Sequence, residues 1–403
     1  MLLKDKNILL GVSSSIAIYK SLELIRLYVK AGANVKVIMT EASQKFITPL
    51  TFEAISQNKV LCEESESWDK SSSYNHIDIG KWADVFVIAP CTANTINKLA
   101  LGITDNLLTQ TVLAFTKTII LAPAANTNMI QNPITKENLN KLLNYDFKIV
   151  SSQVKELACK DVGDGAMADF EDIFYDTARE LLKEDYWLNR DVILSGGGTV
   201  EKIDDVRYIS NFSSGKMASS LSLALYLKGA NVTLVSTRGY ENLTKNIKIK
   251  AVTSSENMYE ELSSAIKKTK GNTKKAYLFM VAAVSDYIPI LEKNGKLKKD
   301  DIGSSWNLEL EQNIDILNSL DKSEIVSIGF KAEMDKENAL KNAKNMLEKK
   351  SLDAVCLNIL EDNNSFGTQT NEIELILKNN SYNFSGDKLA ISIDIIETLK
   401  GEF

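Results

Sequence analysis

The stretch SGGGTVEKIDDVRYISNFSSGKM, residues 195–217, is the most informative part of the chain. A strand predicted over Val192 to Leu194 leads into its three glycines, and a helix predicted from Ser213-Ser214 to about Lys228 follows. Glycines let backbone N–H groups approach a phosphate, and a helix N-terminus adds partial positive charge. With a further strand at Val232 to Val235, this pattern predicts a βαβ unit that binds a nucleotide.

The same stretch fits neither of the two commonest phosphate-binding motifs. Its end imitates a P-loop, but Met217 replaces the Ser/Thr and Ser210 replaces the first glycine. The long insert between the glycines and the helix also departs from a dinucleotide fingerprint. Arg207 and Asn211 lie in this insert and are candidates to hold a reacting carboxylate or acyl phosphate.

Composition limits the class of protein. The chain has 403 residues, of which 25% are charged, and a formal net charge of −6, so binding to nucleic acid is not expected. Without a long apolar stretch or a signal-peptide pattern, we expect a cytoplasmic protein that does not enter the membrane. Because His76 is the single histidine, a multi-histidine metal site within one chain is excluded. The four cysteines lack CxxC spacing, which argues against a metal knuckle or a disulfide framework.

Strands and helices alternate along both halves, which predicts two α/β domains. Apolar strands of the first half, typical of a mostly parallel sheet, are predicted over 7–12, 34–39, 85–89 and 118–122. A helix predicted from Phe170 to about Trp187 closes this half, so we place the domains at 1–189 and 190–403. The second half is predicted to end with two strands and a short helix.

Three polar loops follow predicted strands of the first half, at the sheet edge where ligands bind. The serines of Gly11-Val-Ser-Ser-Ser-Ile can hold one phosphate, although serine-rich helix starts are also ordinary caps. Ala89-Pro-Cys-Thr-Ala-Asn-Thr repeats the pattern, and two such loops favour a phosphate-bearing cofactor. In the third loop, Ala122-Pro-Ala-Ala-Asn-Thr-Asn-Met, the Asn126 amide can donate to a substrate carboxylate. Alternatively, it stabilises a turn by hydrogen-bonding to the backbone.

Four other residues are individual candidates. A lone histidine such as His76 is more often structural than catalytic. Cys159 lies in a polar loop that contains several glycines and is a candidate proton donor or nucleophile. Asp286, at the end of a predicted strand, can hold Mg²⁺ or a ribose, or cap a helix. Phe330 is placed either to contact a base or to lie in the core.

The basic, polar stretch from Ile290 to Leu310 predicts a mobile loop over a site. It contains Gly295-Lys-Leu-Lys-Lys, whose lysines would neutralise charge that develops on a leaving pyrophosphate. The alternative is a solvated charged face.

These motifs resemble the bacterial bifunctional phosphopantothenoylcysteine decarboxylase/phosphopantothenate–cysteine ligases of coenzyme A biosynthesis, over nearly the whole chain. HIDIGKWAD, starting at His76, is similar to the family's HIxLGKWAD, and DVRYISNFSSGKM, starting at Asp205, is similar to its ligase string. The resemblance implies a flavodoxin-like flavoprotein domain with a parallel sheet over 1–189. A Rossmann-like α/β ligase domain would occupy 190–403.

The resemblance implies two consecutive reactions. The ligase half would use CTP to convert 4′-phosphopantothenate into an acyl-cytidylate with release of pyrophosphate, and the cysteine amine would then form the amide. The decarboxylase half would use FMN to oxidise the thiol to a thioaldehyde, which accepts the electrons as CO₂ leaves. Reduction of the enethiol then yields 4′-phosphopantetheine. A homo-oligomer is implied, with trimeric flavin domains, dimeric ligase domains and assemblies up to a dodecamer.

The resemblance also implies roles for individual residues. The catalytic residues would be His76, Asn126, Cys159, Arg207, Asn211 and Lys296. FMN would be bound by Gly11, Ser13, Ser14, Ser15, Thr40, Pro90, Thr92 and Asn94. CTP would be bound by Gly197, Gly198, Ser213, Asp286, Lys296, Ile314, Asp315, Phe330 and Lys350, with Mg²⁺ at Asp286. Lys298 and Lys299 complete the lysine loop.

The chain departs from the family pattern at several positions, and none of these departures removes a catalytic group. The substituted positions are Ala125, Ala166, Asp205, Ala218, Ile314 and Met346. Asp205 replaces a proline, and Met346 replaces a basic residue. Two alternatives stay open: a flavoprotein of another enzyme class, against which the ligase string argues, and a non-enzymatic regulatory protein. The presence of His76, Asn126 and Cys159 argues against the second.

Overall fold

The computed structural model describes residues 1–69, 74–156, 162–240, 243–298, 303, 305–360 and 367–403. The chain divides into two compact units, Met1–Leu182 and Lys183–Phe403, and each contains its own cluster of buried apolar side chains. None of the described helices has the length and apolarity that a membrane span requires.

The first unit contains eight described strands and eight described α-helices. The strands are β1 (Asn7–Val12), β2 (Asn34–Met39), β3 (Val60–Leu61), β4 (Val85–Cys91), β5 (Ile119–Pro123), β6 (Lys148–Ile149), β7 (Gln153–Glu156) and β8 (Val162–Ala166). The helices are α1 (Tyr19–Lys30), α2 (Pro49–Ser56), α3 (His76–Trp82), α4 (Ala93–Leu101), α5 (Leu107–Ala114), α6 (Thr127–Gln131), α7 (Pro133–Asn144) and α8 (Phe170–Leu182).

Six of these strands form a parallel sheet in the order β3-β2-β1-β4-β5-β6, and β7 and β8 form a separate antiparallel hairpin. Every residue of β4 and β5 is buried, as expected for strands covered on both faces. The predicted parallel flavoprotein architecture is therefore confirmed. Its strand order is that of a doubly wound dinucleotide-binding sheet, with the switch point between β1 and β4, whereas flavodoxin itself has the order 2-1-3-4-5.

The second unit contains twelve described strands and five described α-helices. The strands are β9 (Asp191–Gly196), β10 (Val200–Lys202), β11 (Tyr208–Ser210), β12 (Asn231–Ser236), β13 (Lys248–Ala251), β14 (Ala276–Met280), β15 (Tyr287–Pro289), β16 (Leu310–Gln312), β17 (Ile325–Glu333), β18 (Ala354–Ile359), β19 (Thr370–Ile376) and β20 (Ser381–Asp387). The helices are α9 (Lys216–Leu227), α10 (Ser255–Thr269), α11 (Ile316–Ser319), α12 (Lys336–Lys349) and α13 (Lys388–Glu402).

Its main sheet has the order β13-β12-β9-β14-β17-β18-β19-β20 and is mixed. The strands from β13 to β18 pair in parallel, and β19 and β20 are added antiparallel at one edge. The switch point lies between β9 and β14, at the end of the strand that runs into the three glycines. The predicted α/β class is thus confirmed for this unit as well.

Three predictions about helices were wrong, two on a boundary and one on a length. The helix after the glycine-rich stretch begins at Lys216 and not at Ser213, because Gly215 precedes it in the left-handed region (φ +71). The helix predicted to reach Trp187 ends at Leu182. The fully buried Trp187 ring lies beyond it and packs against the Tyr277 ring, with 4.9 Å between the ring centroids. The last helix, predicted to be short, has 15 residues.

Candidate active sites

Ser13 joins the two loops at the switch point of the first unit. Its Oγ donates to the Pro90 carbonyl oxygen (2.8 Å) and accepts from the Thr92 N–H (3.0 Å). Its own N–H donates to the same Pro90 oxygen at 3.2 Å, and the side chain is buried. The structure therefore brings together three of the residues predicted to bind FMN, at the carboxyl ends of β1 and β4.

The other predicted FMN residues lie around the same edge. Ser14 and Ser15 follow Ser13, and the Ser15 Oγ accepts from the Ala17 N–H at 3.2 Å, which is the capping role left open by the sequence. Asn94 is exposed in the first turn of α4. Thr40 follows β2, and its buried Oγ1 has no hydrogen-bond partner within the described residues. A buried hydroxyl of this kind is suited to a polar ligand, so the residues at this edge fit a phosphate-bearing cofactor.

Gly11 has a packing role in addition to its predicted one. A Cβ at this position would lie 3.0 Å from the Phe86 ring and 3.1 Å from the Leu108 side chain. Glycine at this position therefore lets β1 pack closely against its neighbours just before the Ser13 loop.

His76 begins α3 and is held by Glu66. Its Nδ1 lies 2.7 Å from the Glu66 Oε1, which also accepts from the His76 backbone N–H at 3.2 Å. Both side chains are less than one-fifth exposed, and the imidazole and Trp68 rings form a T-shaped pair with 5.4 Å between ring centroids. A carboxylate at Nδ1 accepts a hydrogen bond from the Nδ1–H, which favours the tautomer of the neutral ring with its lone pair on Nε2. Glu66 was missed in the sequence because it precedes His76 by ten residues, with no motif joining them.

The Asn126 loop is bonded to the β7–β8 hairpin. Asn126 caps α6, with its Oδ1 accepting from the Asn128 N–H at 2.9 Å. The Ala125 N–H donates to the Gly165 carbonyl (3.0 Å), and Gln131 donates to the Asp164 carboxylate (3.0 Å). The hairpin that flanks Cys159 therefore packs against the loop predicted to bind the substrate carboxylate; Cys159 itself lies outside the described residues.

Asp169 anchors the base of this hairpin. Its carboxylate accepts from Lys155 at 2.8 Å and from Gln153 at 2.9 Å. Burial raises the pKa of the Asp169 carboxyl, but these hydrogen bonds outweigh it and hold the pKa well below the usual range.

In the second unit, backbone groups join the loops at the switch point. The Ala283 N–H donates to the Gly197 carbonyl (2.9 Å), and the Thr199 N–H donates to the Ala283 carbonyl (3.2 Å). The buried Ser195 Oγ supports this junction by accepting from the N–H groups of Val281 and Ala282, at 3.0 Å and 3.1 Å. The glycine-rich turn after β9 is thereby fixed to the loop after β14.

Gly198 and Asn211 meet at this junction. A Cβ at Gly198 would lie 2.5 Å from the Asn211 carbonyl oxygen, so the two backbones approach as closely as only glycine permits. The Asn211 Nδ2 donates to the Val284 carbonyl at 2.9 Å. The polar insert is thus folded back onto both switch-point loops.

Two cavities flank Phe330, which is partly exposed and lines both. The larger, of about 470 Å³, is lined by predicted CTP residues: Asp286, Ile314, Asp315, Phe330 and Lys350. The smaller, of about 170 Å³, includes Ser213 and Lys216. Lys350 is paired with both carboxylate oxygens of Asp315, at 2.9 Å and 3.0 Å, and Met346 forms part of the same wall.

A further cavity lies away from the predicted sites. It has a volume of about 730 Å³ and lies in the first unit, at the C-terminal ends of α4 and α7. Its lining contains none of the predicted site residues, and it is at the opposite edge of the sheet from the Ser13 loop.

Arg207 and Lys296 belong to a third group. The Arg207 guanidinium lies 3.2 Å from the Asp204 carboxylate, donates to the Leu297 carbonyl at 3.2 Å, and lies 5.6 Å from the Trp306 ring centroid. Lys296 and Lys298 are exposed, and Lys299 lies outside the described residues. The predicted mobile loop is attached at its base by the β15–β16 pair.

Comparison with known proteins places the chain in a family. Residues 2–182 match the Flavoprotein model, and residues 187–401 match the model of the DNA/pantothenate metabolism flavoprotein C-terminal domain. The coenzyme A biosynthesis bifunctional protein CoaBC of Borreliella burgdorferi is 36% identical, over 93% of this chain and 94% of its own length. The CoaBC protein of Haemophilus influenzae is 35% identical, over 99% of this chain and 98% of its own length.

The chain belongs to the family of coenzyme A biosynthesis bifunctional proteins. A solved structure of the C-terminal domain of such a CoaBC protein is 26% identical and covers 54% of this chain and 98% of its own, with a TM-score of 0.43. Membership in the CoaBC family confirms the resemblance predicted from the HIDIGKWAD and DVRYISNFSSGKM motifs. A flavoprotein of another class would leave the match of the second half unexplained.

Proposed function

We propose that this protein catalyses two consecutive steps of coenzyme A biosynthesis. The first is the CTP-dependent joining of 4′-phosphopantothenate to cysteine, and the second is the FMN-dependent decarboxylation of the product to 4′-phosphopantetheine. The observation that carries the proposal is the family match, which extends over 99% of the chain at 35% identity. The proposed substrates are small molecules, without nucleic acid or membrane.

The decarboxylase site is assigned to the switch point of the first unit. Ser13, Thr40, Thr92 and the neighbouring predicted residues would hold FMN, which when bound supplies a two-electron oxidation and its reversal. His76, held at Nδ1 by Glu66, presents Nε2 as the nitrogen that accepts a proton from the substrate thiol. Asn126 would bind the carboxylate that leaves as CO₂, and Cys159 would return a proton to the product.

The ligase site is assigned to the switch point and the Phe330 cavities of the second unit. A carboxylate oxygen of 4′-phosphopantothenate attacks the α-phosphorus of CTP, and pyrophosphate leaves. The cysteine amine then attacks the acyl carbon, and CMP leaves. Asn211 and Arg207 would position the acyl group, while Lys296 opposes the charge that develops on the pyrophosphate.

Asp286 would supply the one protein ligand for Mg²⁺. Within the described residues there is no cluster of three metal-ligating side chains, which fits a metal held mainly by substrate phosphates and water. The assembly is proposed to be a cytoplasmic homo-oligomer with trimeric flavin domains and dimeric ligase domains, up to a dodecamer.

Mass analysis of the reaction products tests the proposal. Purified protein is incubated with 4′-phosphopantothenate, cysteine and Mg²⁺, with either CTP or ATP. We expect 4′-phosphopantetheine with CTP. Accumulation of phosphopantothenoylcysteine would contradict the decarboxylase assignment, and no product with either nucleotide would overturn the whole proposal and favour a regulatory protein.

A further inference from the structure

We propose that Asp204 and Asp205 are positioning residues for ligation, because they fix the segment that carries Lys296. The inference rests on the proposed function, in which Lys296 acts on the triphosphate. Both aspartates lie in the turn between β10 and β11, some ninety residues before Lys296, so only the fold reveals the connection.

Asp204 contacts both its own turn and the distant segment. Its Oδ1 accepts from the N–H groups of Val206 (2.8 Å) and Arg207 (2.7 Å), and its Oδ2 accepts from the Leu297 N–H (3.1 Å). The side chain has no exposed surface, and the Arg207 guanidinium at 3.2 Å compensates its charge. A buried carboxylate with this many donors has a single favourable orientation, so it holds Leu297 in register with the turn.

Asp205 binds the residue that precedes Lys296. Its Oδ2 accepts from the N–H of Gly295 at 2.8 Å, and Gly295 turns the chain with φ +78, a conformation that favours glycine. Asp205 stands where the family motif has a proline, which offers no such acceptor. The departure from the motif therefore supplies a contact to the lysine segment.

Two further contacts extend the attachment. The Lys293 N–H donates to the Ile203 carbonyl at 3.0 Å, and Arg207 donates to the Leu297 carbonyl at 3.2 Å. The residues on both sides of Lys296 are thus bonded to consecutive aspartates, whereas the exposed Lys296 ammonium has no hydrogen bond or ion pair among the described residues. A fixed backbone with an available cation is the arrangement that orients a lysine toward a phosphate.

The first test compares Asp205→Ala with Asp205→Asn in the ligation assay. Loss of the acceptor in Asp205→Ala should lower kcat/KM for CTP about 5-fold, the equivalent of one hydrogen bond, with the KM for cysteine unchanged. Asp205→Asn keeps an oxygen for the Gly295 N–H and should restore most of this loss. Asp321→Ala is the matched control, because that exposed carboxylate also accepts a backbone N–H, from Ser323 at 3.1 Å.

A double-mutant cycle with Lys296→Ala decides whether Asp205 acts through Lys296. In the Lys296→Ala background, Asp205→Ala should have a much smaller effect than in the wild type, since its route through Lys296 is already removed. Equal effects in both backgrounds, or an Asp205→Asn variant as impaired as Asp205→Ala, would overturn the inference. If the wild-type protein forms no ligation product, the proposed function fails instead, so the two failures are distinguishable.

Discussion

The two units have the same strand order around their switch points, but only in the second does a close backbone approach at a glycine add to the contacts described between the loops. Counted along the chain, the strands of both sheets follow 3-2-1-4-5-6, with two antiparallel strands added in the second. In the first unit the Ser13 hydroxyl bridges the loops after β1 and β4. In the second, the Ser195 hydroxyl bridges the corresponding loops, and backbone groups of Gly197, Thr199 and Ala283 also bond directly to one another.

The comparison shows that one topology can carry different contacts at its switch point. Both junctions combine a buried serine hydroxyl with backbone hydrogen bonds, but in the second unit Gly198 also lets the Asn211 backbone approach the junction closely. We therefore test the second switch point at the close approach of Gly198 and the first at its Ser13 bridge. Single substitutions are expected to disable one reaction and leave the other intact.

Gly198→Ala should have the largest effect. Its Cβ would lie 2.5 Å from the Asn211 carbonyl oxygen, so the insert that carries Asn211 must shift. A displacement on the order of 1 Å at a reacting group costs about 100-fold in rate. We expect ligation to fall by at least about this factor, measured as CTP-dependent amide formation. Gly239→Ala, with no atom within 4 Å of the added Cβ, is the matched control.

The decarboxylation of supplied phosphopantothenoylcysteine by Gly198→Ala should stay at the wild-type rate. Loss of both reactions would mean that the substitution unfolds the chain rather than displacing one loop.

Glu66→Gln is the corresponding change in the first unit. Without the negative charge, the His76 ring has only a neutral amide oxygen at Nδ1, which favours the tautomer with its lone pair on Nε2 less strongly and does not stabilise the protonated ring. The decarboxylation rate of Glu66→Gln should fall by about 100-fold, a typical contribution of a positioned general base. The decarboxylation rate of His76→Asn should fall by at least as much. The neighbouring exposed Glu64→Gln serves as control. Ligation should be unaffected, and a Glu66→Gln enzyme with a wild-type pH–rate profile would remove Glu66 from the mechanism.

Ser13→Ala tests the side-chain bridge itself. The change removes a buried donor to Pro90 and leaves the Thr92 N–H without its acceptor, at a cost of about 1–3 kcal/mol. We expect a lower thermal midpoint for the first unit and a smaller bound flavin fraction, by absorbance, with ligation unchanged. The exposed Ser151→Ala should leave the midpoint where it is. An unchanged midpoint in Ser13→Ala would mean that the bridge is dispensable.

Much of the fold was predictable because apolar strands and their polar loop ends are local patterns. The strands at Asn7–Val12 and Asn34–Met39 match the predicted ranges. The start of α9 was not predictable, since Gly215 acts through its backbone angle and not through a capping side chain. Glu66 and Asp204 were missed for another reason: their partners are ten or more than ninety residues away, and single carboxylates carry no spacing signature.

The last prediction concerns acid stability, and it sharpens the comparison between the units. In the second unit Glu184 is hydrogen-bonded to Lys228 and to Lys400, the latter at 2.5 Å. Burial raises the pKa of the Glu184 carboxyl, but these hydrogen bonds outweigh it and lower the pKa to about 2. Because the folded pKa lies below the unfolded one, the stabilisation is complete above about pH 5 and is lost as the pH falls toward 2.

Glu184→Gln should therefore lower the unfolding free energy of the second unit by about 2 kcal/mol at pH 7, less than the full pKa shift gives because the Glu184 side chain is one-quarter exposed to solvent, and by progressively less toward pH 2. Denaturant titrations across this range, with fluorescence of Trp187 in the second unit, measure the difference. Glu256 is exposed, so the unfolding free energy of the control Glu256→Gln should follow that of the wild type at every pH. A difference between Glu184→Gln and the wild type that does not shrink with acid would show that packing, and not the charge, accounts for the stability of this ion cluster. The first unit offers the parallel case at Asp169, whose carboxyl pKa is also held down by cations, so its unfolding should respond to acid in the same direction.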